Sequence, residues 1–231
     1  MNSNTAFDTQ FDQINGLLHY PWIGKDYFNQ SYKLLILGDS HYTVAEDKDK
    51  KKTFCQEEYV ECLTNKEYTR KTLNYAVNRE DIWSFYNGLY SLFSVSSFNA
   101  EELFWEKIAF YNFVQEPMKQ INAKPTVKDF KTAWFCLLDV IDIIKPDVCL
   151  FIGTRGWVSN GFINKEGKGF CKLDSDSVRI SRCVPWIADI KTLSGISTKA
   201  IAIHHTSQGF SPDKWRDYLQ KRIPEIFQVI R

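Results

Sequence analysis

The 231-residue sequence lacks several features that would assign it at once to a large class of proteins. Its six cysteines form no C-x-x-C pair, so the usual zinc-ribbon and thiol-redox spacings are absent. No secretory signal opens the chain, and no apolar run approaches the length of a membrane span. A formal net charge of +1 gives no overall field to attract nucleic acid or a membrane surface. We therefore expect a reduced, cytoplasmic protein with no membrane partner, structural metal or disulfide.

Internal repeats and domain linkers are also missing, and the length suits one α/β domain with a substantial core. The apolar and charged fractions, 44% and 25%, are ordinary for a folded domain. We predict a single domain over residues 1–231. Phe11, Ile14 and Leu17 recur at helical spacing, which predicts a helical segment within residues 1–30 that packs on the domain.

Two apolar runs that end in glycine indicate buried parallel strands. Residues 34–37 precede Gly38, and residues 148–152 precede Gly153. The second run follows a predicted helix that opens with a Thr126–Asp129 capping box and ends at Lys145-Pro146. This helix-to-strand order is typical of a βαβ unit. With further strands ending at Val114 and Ile203, we predict a three-layer α/β/α fold around a central, mainly parallel sheet.

Other regions give weaker patterns. Residues 55–95 are predicted to be mostly helical, and residues 160–198 to form a hairpin or an irregular insertion with short strands at 171–173 and 178–180. The charged run at 46–52 has no apolar residue, so it is read as solvated surface. Its lysines leave open a lid or a phosphate contact.

Polar side chains follow four of the predicted strands. In a parallel sheet the carboxyl ends meet at one edge, where α/β proteins bind their ligands. We therefore expect these side chains to converge, with Gly38 providing a turn. They are Asp39, Ser40, His41 and Tyr42 after the first strand, Asn112 in the second, Thr154 and Arg155 after the third, and His204, His205, Thr206 and Ser207 after the fourth.

Between Trp22 and Trp215 the chain resembles the uracil-DNA glycosylase superfamily, on short motifs. The first motif is Gly38-Asp39-Ser40-His41-Tyr42, similar to a bacterial branch whose first motif reads Gly-Asp/Glu-Ser-His-Tyr. The resemblance implies a glycosylase-like fold and a protein that binds or excises a nucleobase in nucleic acid. The iron–sulfur branch of the superfamily needs a set of cysteine ligands that this sequence does not match, so no cofactor is expected.

The resemblance also implies roles for single residues. Asp39 would position the water that attacks the sugar C1′, Asn112 would recognise the edge of a pyrimidine, and His204 would stabilise charge on the departing base. The target base would be flipped out of the duplex into the site. The expected partner is DNA or a nucleotide-derived ligand.

Two other functions stay open at this point. Gly38-Asp39-Ser40 after an N-terminal strand is also the nucleophile block of GDS-type serine esterases, with Ser40 as nucleophile and His204 or His205 as base. A hydrogen bond between Ser40 and a histidine would favour this alternative. The third possibility is a module that binds nucleic acid or another ligand without catalysis. The sequence leaves the oligomeric state open.

Overall fold

The apolar runs form the middle strands of one seven-stranded sheet. The computed structural model describes residues 1–46, 51–78, 84–120, 123–154, 161–174, 178–207 and 209–230. The strands in chain order are β1 (Trp22–Ile23), β2 (Leu34–Tyr42), β3 (Val44–Glu46), β4 (Lys52–Phe54), β5 (Ala109–Met118), β6 (Val148–Ile152), β7 (Gly169–Asp174), β8 (Trp186–Thr192) and β9 (Ser197–Ile203).

The strand order in the sheet is β1-β5-β2-β6-β9-β8-β7, and β3 pairs with β4 in a separate ribbon. The four central strands, β5, β2, β6 and β9, are parallel. The outer strands β1, β8 and β7 pair antiparallel to their neighbours. The four predicted strands are thus neighbours in one sheet, which confirms the predicted α/β fold class.

Helices cover both faces of this sheet. They are α1 (Asp8–Phe11), α2 (Gln56–Thr64), α3 (Tyr68–Val77), α4 (Ser84–Phe93), α5 (Phe98–Lys107), α6 (Val127–Ile144), α7 (Gly161–Lys165), α8 (Pro212–Arg222) and α9 (Glu225–Ile230), and a 3₁₀ turn lies at Tyr27–Asn29. The core on one face is built around α6, whose Trp134 packs against Phe151 of β6. The core on the other face is built around α4, α5 and α8. None of the described helices combines the length and apolar character needed to cross a membrane.

The start of α6 confirms the predicted capping box. The Asp129 backbone N–H donates to Thr126 Oγ1 at 3.3 Å, and the Thr126 backbone N–H donates to Asp129 Oδ2 at 2.7 Å. These two bonds satisfy donors that a helix start leaves unpaired. They fix where the long helix begins beneath the sheet.

The predicted N-terminal helix is wrong in extent, because only one turn, Asp8–Phe11, is helical. Gly16 has φ +90° and lies so close to α6 that a Cβ there would be 2.7 Å from Thr132 Cγ2. This left-handed residue ends any helical path before Leu17. Phe11 and Ile14 are nevertheless buried in the α6-side core, so the segment packs on the domain as expected.

The region predicted as a hairpin or insertion is more regular than its composition suggested. β7 covers the predicted strand at 171–173, while 178–180 contributes only an isolated bridge between Ile180 and Cys183. The sequence prediction missed β8, whose side chains alternate between buried and exposed. Exposed Asp189 and Lys191 gave this stretch a polar average, which concealed a strand with one buried face.

All six cysteines are thiols. Burial raises the pKa of both Cys136 and Cys149 to about 12, so these two thiols stay neutral inside the core. The predicted role of both as small buried hydrophobes agrees with their positions.

Candidate functional site

The central sheet opens where β6 ends. The last register pair between β2 and β6 joins Leu37 to Phe151, whereas β2 and β5 stay paired from Leu35–Ala109 to Tyr42–Met118. The predicted turn at Gly38 is wrong, because β2 continues through Gly38 to Tyr42. From Gly38 onward β2 therefore has a strand neighbour on one side only. This makes a crevice at the carboxyl edge of the sheet, and it puts Asn112 in the middle of β5 instead of at the predicted strand end.

Asn112 is the register partner of Gly38 on the neighbouring strand, and its side chain extends over Gly38. A Cβ built at position 38 would be 2.1 Å from Asn112 Oδ1 and 3.4 Å from Phe110 Cζ. Position 38 therefore has to be glycine for the amide to take this place. The Asn112 amide brings one donor group and one acceptor to this face of the crevice.

Phe85, at the start of α4, joins this group without having been predicted as a site residue. Its ring centroid lies 6.0 Å from that of Phe110 and 5.6 Å from that of His205. Phe85 is half-buried, while its neighbour Tyr86 is buried in the core. The sequence contained one sign of this: adjacent aromatic residues on a helix point about 100° apart, so when Tyr86 is buried in the core, Phe85 lies at its margin.

His205 is the histidine that contacts this face, and its tautomer follows from its contacts. The Ser207 backbone N–H donates to His205 Nδ1 at 3.2 Å, and Ser207 Oγ lies 2.7 Å from the same atom. Because Nδ1 accepts a backbone N–H, a neutral His205 ring carries its proton on Nε2. The ring is thereby prepared to donate from Nε2.

Thr206 holds the loop after β9 against α4. Its hydroxyl donates to the Phe85 carbonyl oxygen at 2.9 Å, and a Cβ at Gly88 would lie 2.5 Å from Thr206 Cβ. Thr206 and Ser207 are predicted to bind substrate, and their contacts in the structure hold Phe85 and His205 in position.

His204 differs from His205 in its surroundings. Its Nδ1 is buried and has no hydrogen-bond partner within the described part of the chain. Unpaired buried polar atoms are rare in folded proteins and often mark a ligand or water position.

Asp39 follows Gly38 in β2 and is half-buried. Alternation along a strand directs its side chain to the sheet face opposite that of position 38. The structure thus brings Gly38, Asn112, Phe85 and His205 to one face of the crevice and puts Asp39 on the other side of the strand.

Ser40 does not form the arrangement expected of an esterase. Its hydroxyl is buried and has no hydrogen-bond partner within the described ranges, so no Ser–His pair exists there. The nearest histidine in sequence, His41, pairs instead with Thr69, whose Oγ1 lies 2.9 Å from His41 Nε2. The observation that would have favoured the esterase alternative is therefore not present.

His41, predicted to bind substrate, lies in a buried polar cluster away from the Asn112 face. The rings of His19 and Tyr68 each lie 4.9 Å from the His41 ring. Burial, and secondarily the charge of His19, holds the pKa of His41 well below its ordinary value of 6.5. Tyr42 packs against the α6-side core, and Arg155 lies outside the described residues.

Within the described ranges, no three His, Cys, Asp or Glu side chains are grouped in a way suited to a metal ion. Comparison with models of known protein families and with curated protein sequences finds no match to this chain. The chemistry of the candidate site therefore has to be argued from its own geometry.

Proposed function

We propose that the crevice at the carboxyl edge of the sheet binds a nucleobase, and that the protein acts on nucleic acid in the manner of a uracil-DNA glycosylase. The observation that supports this proposal is the place of the Asn112 amide. It lies over Gly38, on the face that also carries Phe85 and His205. A planar ligand with adjacent donor and acceptor atoms, such as a pyrimidine, suits an amide on one side and an aromatic ring on the other.

The same groups suit cleavage of an N-glycosidic bond. As that bond breaks, negative charge moves onto the base and positive charge develops on the sugar. The His205 Nε2–H can donate to a base carbonyl that gains charge, and the Asp39 carboxylate can orient water or stabilise the sugar cation. A base in a duplex would have to be flipped out to reach the crevice.

The experiment is a screen of purified protein against oligonucleotides that carry one uracil, hypoxanthine or oxidised base, single-stranded and duplex. Excision leaves an abasic site, which alkali converts to a strand break. Free nucleosides, titrated in parallel by calorimetry, test binding without chemistry. We expect base-dependent binding or cleavage that Asn112→Ala relaxes, because a site that pairs with its ligand discriminates by leaving wrong partners unpaired.

The matched control is Asn99→Ala, because Asn99 is an exposed asparagine on α5. Equal behaviour of the two variants would remove Asn112 from the site and contradict the proposal. Ser40→Ala gives a second comparison on generic ester substrates. An esterase activity that Ser40→Ala abolishes and Asn112→Ala preserves would replace the proposed function by the esterase.

A further inference from the structure

An exposed aromatic surface lies at the same sheet edge as the crevice. The ribbon of β3 and β4 continues from β2 and is fastened to the end of β5, since the Thr43 backbone N–H donates to the Met118 carbonyl oxygen at 3.0 Å. The Cys55 backbone N–H then donates to the Thr43 carbonyl oxygen, also at 3.0 Å. These bonds place the end of β4 and the start of α2 beside Lys119, the residue after β5.

Two rings and a lysine define this surface. The centroids of Phe54 and Tyr59 are 5.6 Å apart, and Lys119 Nζ lies 4.4 Å from the Tyr59 centroid and 5.6 Å from that of Phe54. Phe54 is 40% exposed, so its ring is open to a ligand. Lys52, two residues earlier on β4, is exposed as well. The Tyr59 hydroxyl is held by the Glu116 carboxylate at 3.5 Å.

We propose that Phe54, Tyr59 and Lys119 contact a single-stranded segment of the nucleic acid whose base enters the crevice. Rings combined with lysines are the usual surface for single strands, because every base can stack on a ring while the lysine meets a phosphate. The chain as a whole is almost neutral, so attraction to a polyanion has to come from a local surface of this kind. This inference rests on the proposed function.

The separation of the two sites sets the length of strand required. Lys119 follows Asn112 by seven residues, but β5 is irregular there: Asn112 and Met118 pair with Gly38 and Tyr42, which are only four residues apart in β2. At roughly 3.3 Å per residue, Met118 therefore lies about 13 Å along the sheet from Asn112. At roughly 3.4 Å per nucleotide along a helical strand, this distance corresponds to about four nucleotides. A stacked trinucleotide held at Asn112 spans about 7 Å and falls short of it, whereas a 12-mer covers the whole distance.

The test is fluorescence anisotropy with labelled 12-mers of single-stranded DNA and RNA, the matching DNA duplex, and a trinucleotide. Phe54→Ala should weaken binding of the single-stranded 12-mers about 5- to 150-fold, the usual effect of removing one stacking ring. It should leave trinucleotide binding unchanged. Lys119→Gln should reduce the slope of log K against log salt by about 0.7. Phe54→Trp should retain binding, because the larger ring still stacks.

The controls are Phe170→Ala and Lys172→Gln on β7, at the far end of the sheet, where Phe170 is 53% exposed. If Phe54→Ala binds the 12-mer no more weakly than Phe170→Ala, or if the wild type prefers the duplex, the inference is wrong. A wild type that retains no 12-mer at low salt also overturns it. If the crevice does not bind a nucleobase, the result is different. Nucleosides and trinucleotides then do not bind, while binding of the 12-mer still depends on Phe54.

Discussion

The Asn112 side chain occupies the space that any side chain at position 38 would need. A Cβ at Gly38 would lie 2.1 Å from Asn112 Oδ1, a separation that real atoms do not tolerate. The obstacle is the end of a side chain and not backbone, so a substitution at position 38 displaces the amide without requiring the sheet to move. Gly38 and Asn112 therefore act as one unit in which glycine permits the amide to face the crevice.

The first prediction follows from this pair. Gly38→Ala should displace the Asn112 amide and abolish base-dependent binding, at a cost of about 1–3 kcal/mol in the free energy of unfolding from overpacking. Calorimetric titration with nucleosides and urea unfolding measure the two effects. Gly161→Ala is the control, because a Cβ at Gly161 meets no atom within 4 Å. Unchanged nucleoside affinity in Gly38→Ala would show that the amide does not hold the ligand.

The second prediction separates the two adjacent histidines. The family resemblance assigns the charge-stabilising role to His204, but His205 is the residue in ring contact with Phe85. His205→Gln should reduce single-turnover excision about 100-fold, the usual loss when one positioned donor is removed. His204→Gln should reduce it less than about tenfold. A larger loss in His204→Gln would restore the assignment made from the sequence.

The third prediction concerns Asp39. Asp39→Asn should lower turnover by about two orders of magnitude or more while oligonucleotide affinity changes little, as expected when a positioned acid–base group is lost. Single-turnover rates and anisotropy give the two quantities. Asp189→Asn, at an exposed position on β8, is the matched control. An equal loss of binding and turnover in Asp39→Asn would assign Asp39 to ligand binding alone.

The fourth prediction is a loss of stability in mild acid, and it comes from the buried histidine pair. Burial is the main cause that lowers the pKa of both His19 and His41 below 6.5. Three titratable groups from α2 and α3 face the pair, namely Cys62, Tyr68 and Glu58, with Tyr68 donating to the Glu58 carboxylate at 3.4 Å.

The sign follows from proton binding. Below about pH 6.5 the unfolded chain binds protons at His19 and His41, whereas in the folded chain both histidines stay neutral to lower pH. The free energy of unfolding should therefore fall as pH decreases from 6.5, by at most about 1.4 kcal/mol per pH unit for each histidine. Burial raises the pKa of Glu58, which acts in the opposite sense but remains in a His41→Asn variant. Urea unfolding between pH 7 and 5 should show a shallower decline in His41→Asn. If the free energy of unfolding falls with decreasing pH equally in the wild type and in His41→Asn, the prediction is contradicted.

The fifth prediction concerns the bond between the N-terminal segment and α3. Arg70 is 4% exposed and donates to Asp8 at 2.7 Å, to Glu67 at 3.0 Å and to the Pro21 carbonyl oxygen at 3.0 Å. Arg70→Lys should lower the free energy of unfolding by about 2–3 kcal/mol, because an ammonium cannot reproduce this fork of donors. The control is Lys71→Gln, which removes an exposed ion pair with Glu61 and should cost less than about 1 kcal/mol. Equal losses in urea unfolding would show that the fork is unimportant.

Local pattern was enough to predict the centre of the fold. Four runs of apolar residues gave the parallel strands, and the Thr126–Asp129 pair gave the start of the long helix, because both depend on residues close together in the chain. The predicted N-terminal helix failed for a reason that is not local. Gly16 has to pass within contact distance of Thr132, more than a hundred residues away in sequence, and its left-handed backbone breaks the helical spacing.

The candidate site shows the same division. The sequence by itself determined that Gly38, Asn112 and a pair of histidines lie on, or just after, parallel strands of one sheet, and parallel pairing sends the carboxyl ends of those strands to one side. Only the tertiary structure decided that His205 meets the ring of Phe85, that His41 turns away to Thr69, and that the Ser40 hydroxyl bonds to no histidine in the described part of the chain. Adjacent residues of an extended chain point in opposite directions, so the side on which each one lies depends on which helices pack against the sheet there.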